Sequence, residues 1–120
     1  MSEGPHEMRN PEGLAPARGF SHAVIAGRGR TVYLGGQTAH GPDGELRGRT
    51  IVEQFDAAAA NVVRALDAAG AEPGHLVSLQ IFVTDAGAYR GSLGEIGKAW
   101  RRHFRKHYPA MALFEVSGLF

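Results

Sequence analysis

The chain has 120 residues, 43% of them apolar and 21% charged, which is enough for one globular domain with a modest core. Its net charge of +1 argues against nucleic acid or a membrane surface as a partner, and the absence of cysteine excludes disulfides, thiolate nucleophiles and cysteine-ligated zinc. No run reaches the roughly 20 apolar residues of a membrane span, and no apolar signal-peptide core is seen, so we expect a cytoplasmic protein.

The first third of the chain is expected to hold an arm and a hairpin. Three prolines and a lack of apolar periodicity predict a flexible N-terminal arm over 1–19, followed by a single domain over 20–120. The runs FSHAVIAG (20–27) and TVYLGGQTA (31–39) are strand-like and are separated by a short Gly/Arg segment. This arrangement predicts a β-hairpin.

Two helices are predicted in the remainder. Thr50 and Glu53 have the S/T-x-x-E spacing of a capping box, so the first helix begins at Thr50, and Gly70 marks its end. An apolar stripe at spacings of three and four residues indicates the second helix. Its members are Tyr89, Leu93, Ile96, Trp100 and Phe104. The basic segment RRHFRKH suits the C-terminal end of that helix, and Pro109 stops it.

Further strands separate and follow the helices. A turn at 40–46 leads to a short strand near Leu46. The run HLVSLQIFVTD (75–85) is apolar on both sides and predicts a central strand, and AMALFEV (110–116) predicts the last one. The order β-β-(β)-α-β-α-β therefore predicts an α+β fold, with a mixed β-sheet and two helices on one face.

Histidines supply most of the candidate chemistry. His22 lies on a predicted strand beside Phe20, where a general acid or base would need a cleft and a partner. A structural histidine held by hydrogen bonds is the more common alternative. His103 and His107 have a spacing that a metal could use, but no acidic residue completes the set, so we expect no metal. Glu115 lies on the last strand, without an identifiable catalytic partner.

Two other segments have weaker signals. The glycine pair in LGGQ lacks the spacing of a phosphate loop. Gly35 and Gly36 mark either a strand bulge or the close approach of another backbone or a ligand, and both interpretations stay open. The run RRHFRKHY could contact phosphates, but no stacking platform or basic surface accompanies it, so we expect no nucleic acid.

Four segments, in order and with consistent spacing, resemble the RidA/YjgF family, also called the Rid or L-PSP family. They extend from about Phe20 to the last residue and read FSHAV, VYLGGQTAHGPDGEL, EQFDAAAANVVRALDAAGAEPGHLVSLQIFVTD and HYPAMALFEVSGL. The resemblance implies a chorismate-mutase-like fold, a homotrimer with small-molecule clefts between subunits, and no cofactor. The activity it implies is hydrolysis of enamine or imine intermediates, made by pyridoxal-phosphate enzymes, to a 2-keto acid and ammonia. An older family label is endoribonuclease.

This chain departs from the family at the residues that hold a charged imino acid. The family's PAR motif supplies an arginine that binds the substrate carboxylate through two hydrogen bonds, and here that position is Met111. The family's tyrosine, serine and asparagine correspond to Phe20, Gly35 and Leu93, which lack the polar group. The acidic residue that activates water lies on a strand that would follow Phe120, so we expect the C-terminal strand to be missing.

An apolar cleft follows from these departures. Met111 and Leu113 share one strand face, with Glu115 further along it, and backbone donors remain at Gly36 and near Leu113. Burying a carboxylate there without a cationic partner would cost several kcal/mol, so we expect no deamination of 2-iminopropanoate.

Four hypotheses remain. The first is a divergent enzyme that acts on a small, largely uncharged metabolite, with His22, Glu115 or a residue of the absent strand as the catalytic group. The second is a non-catalytic trimer that binds a small molecule or a partner. A retained enamine/imine deaminase and an RNA-directed activity are the third and fourth.

Overall fold

A computed structural model describes residues 5–120, and the predicted α+β class is confirmed. The described chain divides into two compact units. The strand unit consists of residues 5–30, Gly74–Ala86 and Lys106–Phe120, and the helical unit consists of Thr31–Pro73 and Gly87–Arg105. Residues 1–4 of the predicted arm lie outside the described residues.

The first strand pair differs from the predicted hairpin. β2 (Ala23–Ile25) pairs antiparallel with β1 (Glu7–Arg9), which belongs to the predicted arm. Residues 31–39 are assigned to no strand, so the predicted hairpin between 20–27 and 31–39 is wrong. The alternation of a strand indicates that a segment can pair, but it does not reveal the partner.

Hydrogen bonds and one close contact hold the described part of the arm against the rest of the strand unit. The N–H of Gly27 donates to Nδ1 of His6 at 2.9 Å, and Nε2 of His6 donates to the carbonyl of His75 at 2.9 Å. A Cβ on Gly27 would lie only 2.9 Å from the carbonyl oxygen of Pro5. Glycine at 27 therefore allows the backbone of the arm to approach.

The second strand pair is parallel. β3 (Ser78–Val83) lies beside β4 (Ala110–Glu115), with Leu79 opposite Met111. A single parallel bridge between Ser21 and the first residue of β4 continues the pairing from the segment before β2. The described strands thus combine antiparallel and parallel pairing, but as two short pairs and not as one continuous sheet.

The first helix of the helical unit begins as predicted. α1 (Ile51–Ala68) is preceded by Thr50, whose hydroxyl accepts from the N–H of Glu53 at 3.1 Å. The Glu53 carboxylate accepts in return from the N–H groups of Thr50 at 3.1 Å and Arg49 at 2.9 Å. Gly70 has φ +75°, the left-handed conformation of a residue just beyond a helix. The capping box and the glycine stop are therefore confirmed.

The second predicted helix is divided in two. α2 (Ala86–Arg90) contains Tyr89, and α3 (Leu93–Phe104) begins after a break at Gly91 and Ser92, which are weak helix formers. The buried face of α3 packs against α1. Its members are Ile96, Ala99, Trp100 and Phe104.

α3 ends earlier than predicted. Arg105 has φ 59° and ψ −141°, which turns the chain out of the helix four residues before Pro109. The short strand expected near Leu46 is reduced to a single antiparallel bridge with His40. Asn61 on α1 holds this loop by donating to the carbonyls of Thr38 and His40, both at 2.9 Å.

Candidate functional site

The end of the chain places part of the predicted cleft on one face of β4. Met111, Leu113 and Glu115 alternate with their neighbours and therefore point to the same side of the strand. Leu79 and Ile81 of β3 lie opposite the first two in register, so this face is apolar next to Met111. Met111 is half-buried and Leu113 is 37% exposed.

Glu115 has a local structural role. Its Oε1 accepts a hydrogen bond from the N–H of Ala86 at 2.9 Å, which satisfies a donor at the beginning of α2. The carboxylate is exposed. The geometry gives Glu115 a capping function, and its catalytic role stays a prediction.

His22 is held by three contacts. Its backbone N–H donates to Oδ1 of Asn10 at 2.8 Å, and its ring Nε2 donates to the carbonyl of Ala15 at 2.6 Å. The ring of Phe20 lies edge-on at 5.0 Å between centroids. The bond to the carbonyl of Ala15 requires a proton on Nε2. In the neutral ring, Nδ1 is then the nitrogen that can accept a hydrogen bond. The arrangement agrees with the structural alternative, and catalysis by His22 stays a prediction.

A cavity of about 480 Å³ lies within the strand unit, and we call it the arm cavity because the arm forms one of its walls. Phe20 lines it together with Met8, Asn10, Ala17, Gly19, Ser21, Lys106 and Tyr108. Met111, Leu113 and Glu115 are not among the lining residues. Phe20 is thus the predicted cleft residue that lines the arm cavity, and the bridge between Ser21 and Ala110 places its segment beside the one that carries Met111.

The remaining predicted cleft residues lie in the helical unit. A Cβ added at Gly35 or Gly36 would meet no atom of the helical unit within 4 Å, so no backbone of that unit approaches them. A strand bulge is also not observed, because the segment forms no strand. Of the two open interpretations, the close approach of another backbone or a ligand remains a prediction. Leu93, the first residue of α3, is 55% exposed.

The two histidines with metal-like spacing have separate structural partners. His107 is buried and donates from Nε2 to the carbonyl of Leu76 at 2.7 Å. His103 donates from Nε2 to Oδ1 of Asp56 at 2.8 Å, and Arg102 also contacts that oxygen. Within residues 5–120, no group of three or more His, Asp or Glu side chains lies close enough together to hold a metal.

The Asp56 cluster is the main electrostatic feature of the helical unit. Burial raises the pKa of Asp56, but the hydrogen bonds and positive charge of His103 and Arg102 outweigh that effect. The pKa of Asp56 therefore lies below its ordinary value of 3.8. Burial alone raises the pKa of Tyr89 above 10.0. Both shifts have structural causes in the packing of helices.

Sequence reasoning identified only Phe20 among the residues that line the arm cavity. It missed the other seven, which are Met8, Asn10, Ala17, Gly19, Ser21, Lys106 and Tyr108. The sequence predicts Lys106 in the basic end of the second helix, but α3 ends at Phe104 and Lys106 lies outside it. The sequence carries one signal that could have identified it. Lys106 is one of two lysines in the chain and lies just before the YPAM segment.

The fold and these surfaces define a small α+β protein with an apolar strand face and a partly polar cavity. In the part of the chain that the structure describes, no helix is long and apolar enough to cross a membrane. The family model described as Endoribonuclease L-PSP matches residues 11–120. The chain belongs to this family, the RidA/YjgF family.

Known proteins similar to this chain support the assignment. The crystal structure of YyfB, a Rid-family protein from Yersinia pestis, has a TM-score of 0.85 and 31% identity, covering 96% of this chain and 88% of YyfB. DfrA from Myxococcus xanthus is 29% identical over 115 residues, which is 95% of this chain and 82% of DfrA. A protein from Capra hircus named 2-iminobutanoate/2-iminopropanoate deaminase is 26% identical over 110 residues, or 91% of this chain and 74% of that protein.

Proposed function

We propose that this RidA/YjgF-family protein is a homotrimer that binds a small, largely uncharged metabolite in a cleft between subunits. We further propose that it acts on this metabolite as a cofactor-independent enzyme of the hydrolase or deaminase type, and that it is not a 2-iminopropanoate deaminase. Met111 is the observation that carries the proposal, because it stands where active family members have the arginine that binds the carboxylate.

The surroundings of Met111 support an apolar ligand. On β4 it is half-buried, opposite Leu79 and on the same face as Leu113. A thioether can adapt its shape to an apolar ligand but cannot pair with a carboxylate. A carboxylate placed there would lose water without gaining a charged hydrogen bond, at a cost of several kcal/mol.

The catalytic groups in this proposal are His22 and Glu115, with the N–H of Gly36 as a backbone donor. His22 keeps its Nδ1 lone pair when Nε2 donates to Ala15, so one nitrogen is available to accept a proton. Glu115 has a second carboxylate oxygen beyond the one that accepts from Ala86. Both groups therefore retain an acid–base capacity, although each also has a structural bond.

The engagement of these two side chains favours a second candidate, a non-catalytic trimer that binds a small molecule or a partner. His22 and Glu115 both contribute to the fold through hydrogen bonds to backbone groups. A binding protein would need no catalytic role for either side chain. The two candidates share the ligand cleft and differ only in whether the bound molecule is converted.

Exposed apolar surface supports the homotrimer. Phe82 of β3 and Phe114 of β4 stack at 5.4 Å between centroids, and they are 48% and 43% exposed. The segment 31–39 has a strand-like sequence but no strand partner among the described residues, and Tyr33 in it is 89% exposed. Burial of such surface against another subunit would be favourable. Light scattering should give about three times the mass of the 12.8 kDa chain, and a monomeric mass would refute the trimer.

An ammonia-release assay tests the exclusion of deaminase activity. A pyridoxal-phosphate dehydratase converts serine to 2-aminoacrylate in the cuvette, and ammonia formation is followed with and without this protein. We expect no acceleration over the buffer reaction, while a family member that contains the arginine serves as the positive control. An acceleration comparable to that control would overturn the proposal.

Conversion and binding are separated by a ligand screen. Neutral heterocycles are tested by thermal shift, and each stabilising compound is then incubated with the protein and analysed by mass spectrometry. Conversion that is lost in His22→Gln or Glu115→Gln supports the enzyme. Stabilisation without conversion supports the binding protein.

A further inference from the structure

The arm cavity has the size of a metabolite site. Its volume of about 480 Å³ lies within the range of roughly 300–1,000 Å³ that small-molecule pockets occupy. The arm contributes Met8, Asn10 and Ala17 to the wall, and the segment before β4 contributes Lys106 and Tyr108. None of the residues of the Met111 face lines the cavity, which adjoins that face through the bridge between Ser21 and Ala110.

The polar groups of the arm cavity favour an anion. Lys106 is an exposed residue and has the one cationic side chain of the lining, and among residues 5–120 no carboxylate lies within ion-pair distance of it. The lining residues include no acidic side chain. Oδ1 of Asn10 already accepts from the N–H of His22 at 2.8 Å. The Asn10 group that remains is therefore its amide nitrogen, a hydrogen-bond donor.

The apolar part of the cavity is held in a fixed geometry. Phe20 lies edge-on against His22 at 5.0 Å, and His22 is bonded to Ala15 and Asn10 of the arm. Ser21 is buried, and its hydroxyl donates to the carbonyl of Tyr108 at 2.5 Å. The aromatic wall and the segment that carries Lys106 are therefore connected by hydrogen bonds. A wall ordered in this way loses less entropy when a ligand binds.

We propose that the arm cavity binds a small monocarboxylate with an apolar body. The Lys106 ammonium pairs with the carboxylate, the Asn10 amide nitrogen donates to it, and the rings and thioether of Phe20 and Met8 contact the apolar body. The chain thus carries its cation for a carboxylate in a place different from the arginine position of the family. The inference does not rest on the proposed function, because it requires neither Met111 nor a catalytic group.

The two lysines of the chain allow a direct test. Protein labelled with ¹³C and ¹⁵N at lysine gives side-chain NMR signals from Lys98 and Lys106, and it is titrated with benzoate and with benzamide, its neutral counterpart. We expect benzoate to shift the Lys106 signal and to leave that of Lys98 unchanged, since Lys98 pairs with Glu95 on α3. Equal shifts of both lysines, or no shift of Lys106, would overturn the site.

Variants measure the contribution of the charge. Lys106→Met keeps the length of the side chain and removes the ammonium, and Lys98→Met is the matched control. An ion pair at an exposed site changes affinity by up to about fivefold, so Lys106→Met should weaken the binding of benzoate by up to that factor and leave the binding of benzamide unchanged. Added salt should weaken the binding of benzoate to the parent protein but not to Lys106→Met. A benzoate affinity that is equal in the two variants contradicts the proposal, and Lys106→Gln repeats the measurement if Lys106→Met folds poorly.

Discussion

Met111→Arg tests most directly whether the β4 face that carries Met111 lines a ligand cleft. The substitution places a guanidinium at the position that, by the resemblance of the sequence, corresponds to the arginine of active family members. If Met111 lines the ligand cleft, this change converts an apolar contact into a site that can bind a carboxylate through two hydrogen bonds.

The structure sets the expected magnitudes. Met111 is half-buried, so the arginine can extend its charged end towards solvent, and we expect a loss of about 1–2 kcal/mol in unfolding free energy. Glu115 shares the face but lies four residues along the strand, or about 13 Å away, which is too far for an ion pair. The free guanidinium should bind a carboxylate with about 1.5–3 kcal/mol, which is about 10- to 150-fold in affinity.

Calorimetry with pyruvate and with pyruvamide measures this gain. All proteins carry Lys106→Met, so that the arm cavity does not contribute. We expect Met111→Arg to bind pyruvate at least tenfold more tightly than its parent, with no gain for pyruvamide, and Met111→Leu to behave as the parent. A folded Met111→Arg protein with unchanged pyruvate affinity would refute the placement of Met111 in a ligand cleft.

Three further substitutions test the helical unit by urea denaturation. Arg105 has a positive φ, which costs a non-glycine residue about 1–3 kcal/mol of backbone strain, and Arg105→Gly removes that strain. The greater freedom of glycine in the unfolded chain offsets part of the gain, so we expect about 1 kcal/mol of stabilisation. A loss of stability would contradict this prediction. Thr50→Ala removes the hydroxyl that accepts from Glu53 and should cost about 1 kcal/mol, whereas Thr50→Ser should cost little. The low pKa of Asp56 means that its ion pair with His103 stabilises the fold above pH about 4 and is lost as the pH falls through the folded-state value. Because Asp56 is 39% exposed, Asp56→Asn should cost less than about 1 kcal/mol at pH 6 and progressively less as the pH falls below the folded-state pKa, and a cost that does not change with pH would contradict this.

The first helix was predictable because its signals are local. The capping box joins Thr50 to Glu53 across one turn, and Gly70 terminates the helix by its own backbone conformation. Neither feature depends on distant parts of the chain. The α+β class was predictable for a related reason, because the periodicities of helices and strands can be read within each segment.

Strand partners were not predictable in the same way. β2 and the segment 31–39 are close in sequence and both are strand-like, yet β2 pairs with the arm residues Glu7–Arg9. The arm has no apolar alternation, and its position depends on bonds such as that between His6 and Gly27. Such contacts join residues far apart in sequence, and a period-two pattern carries no information about them.

The position of Lys106 shows the same limit at the level of the site. Helices usually end at glycine or before proline. The position of Pro109 therefore predicts that the helix includes Lys106 in its basic end. The chain instead leaves the helix at Arg105, a residue type that seldom adopts a positive φ. A non-glycine residue holds this conformation only where the surrounding structure determines it. The location of the cavity's one cationic side chain thus follows from tertiary packing around a strained residue, and no local rule at Arg105 or Lys106 would have identified it.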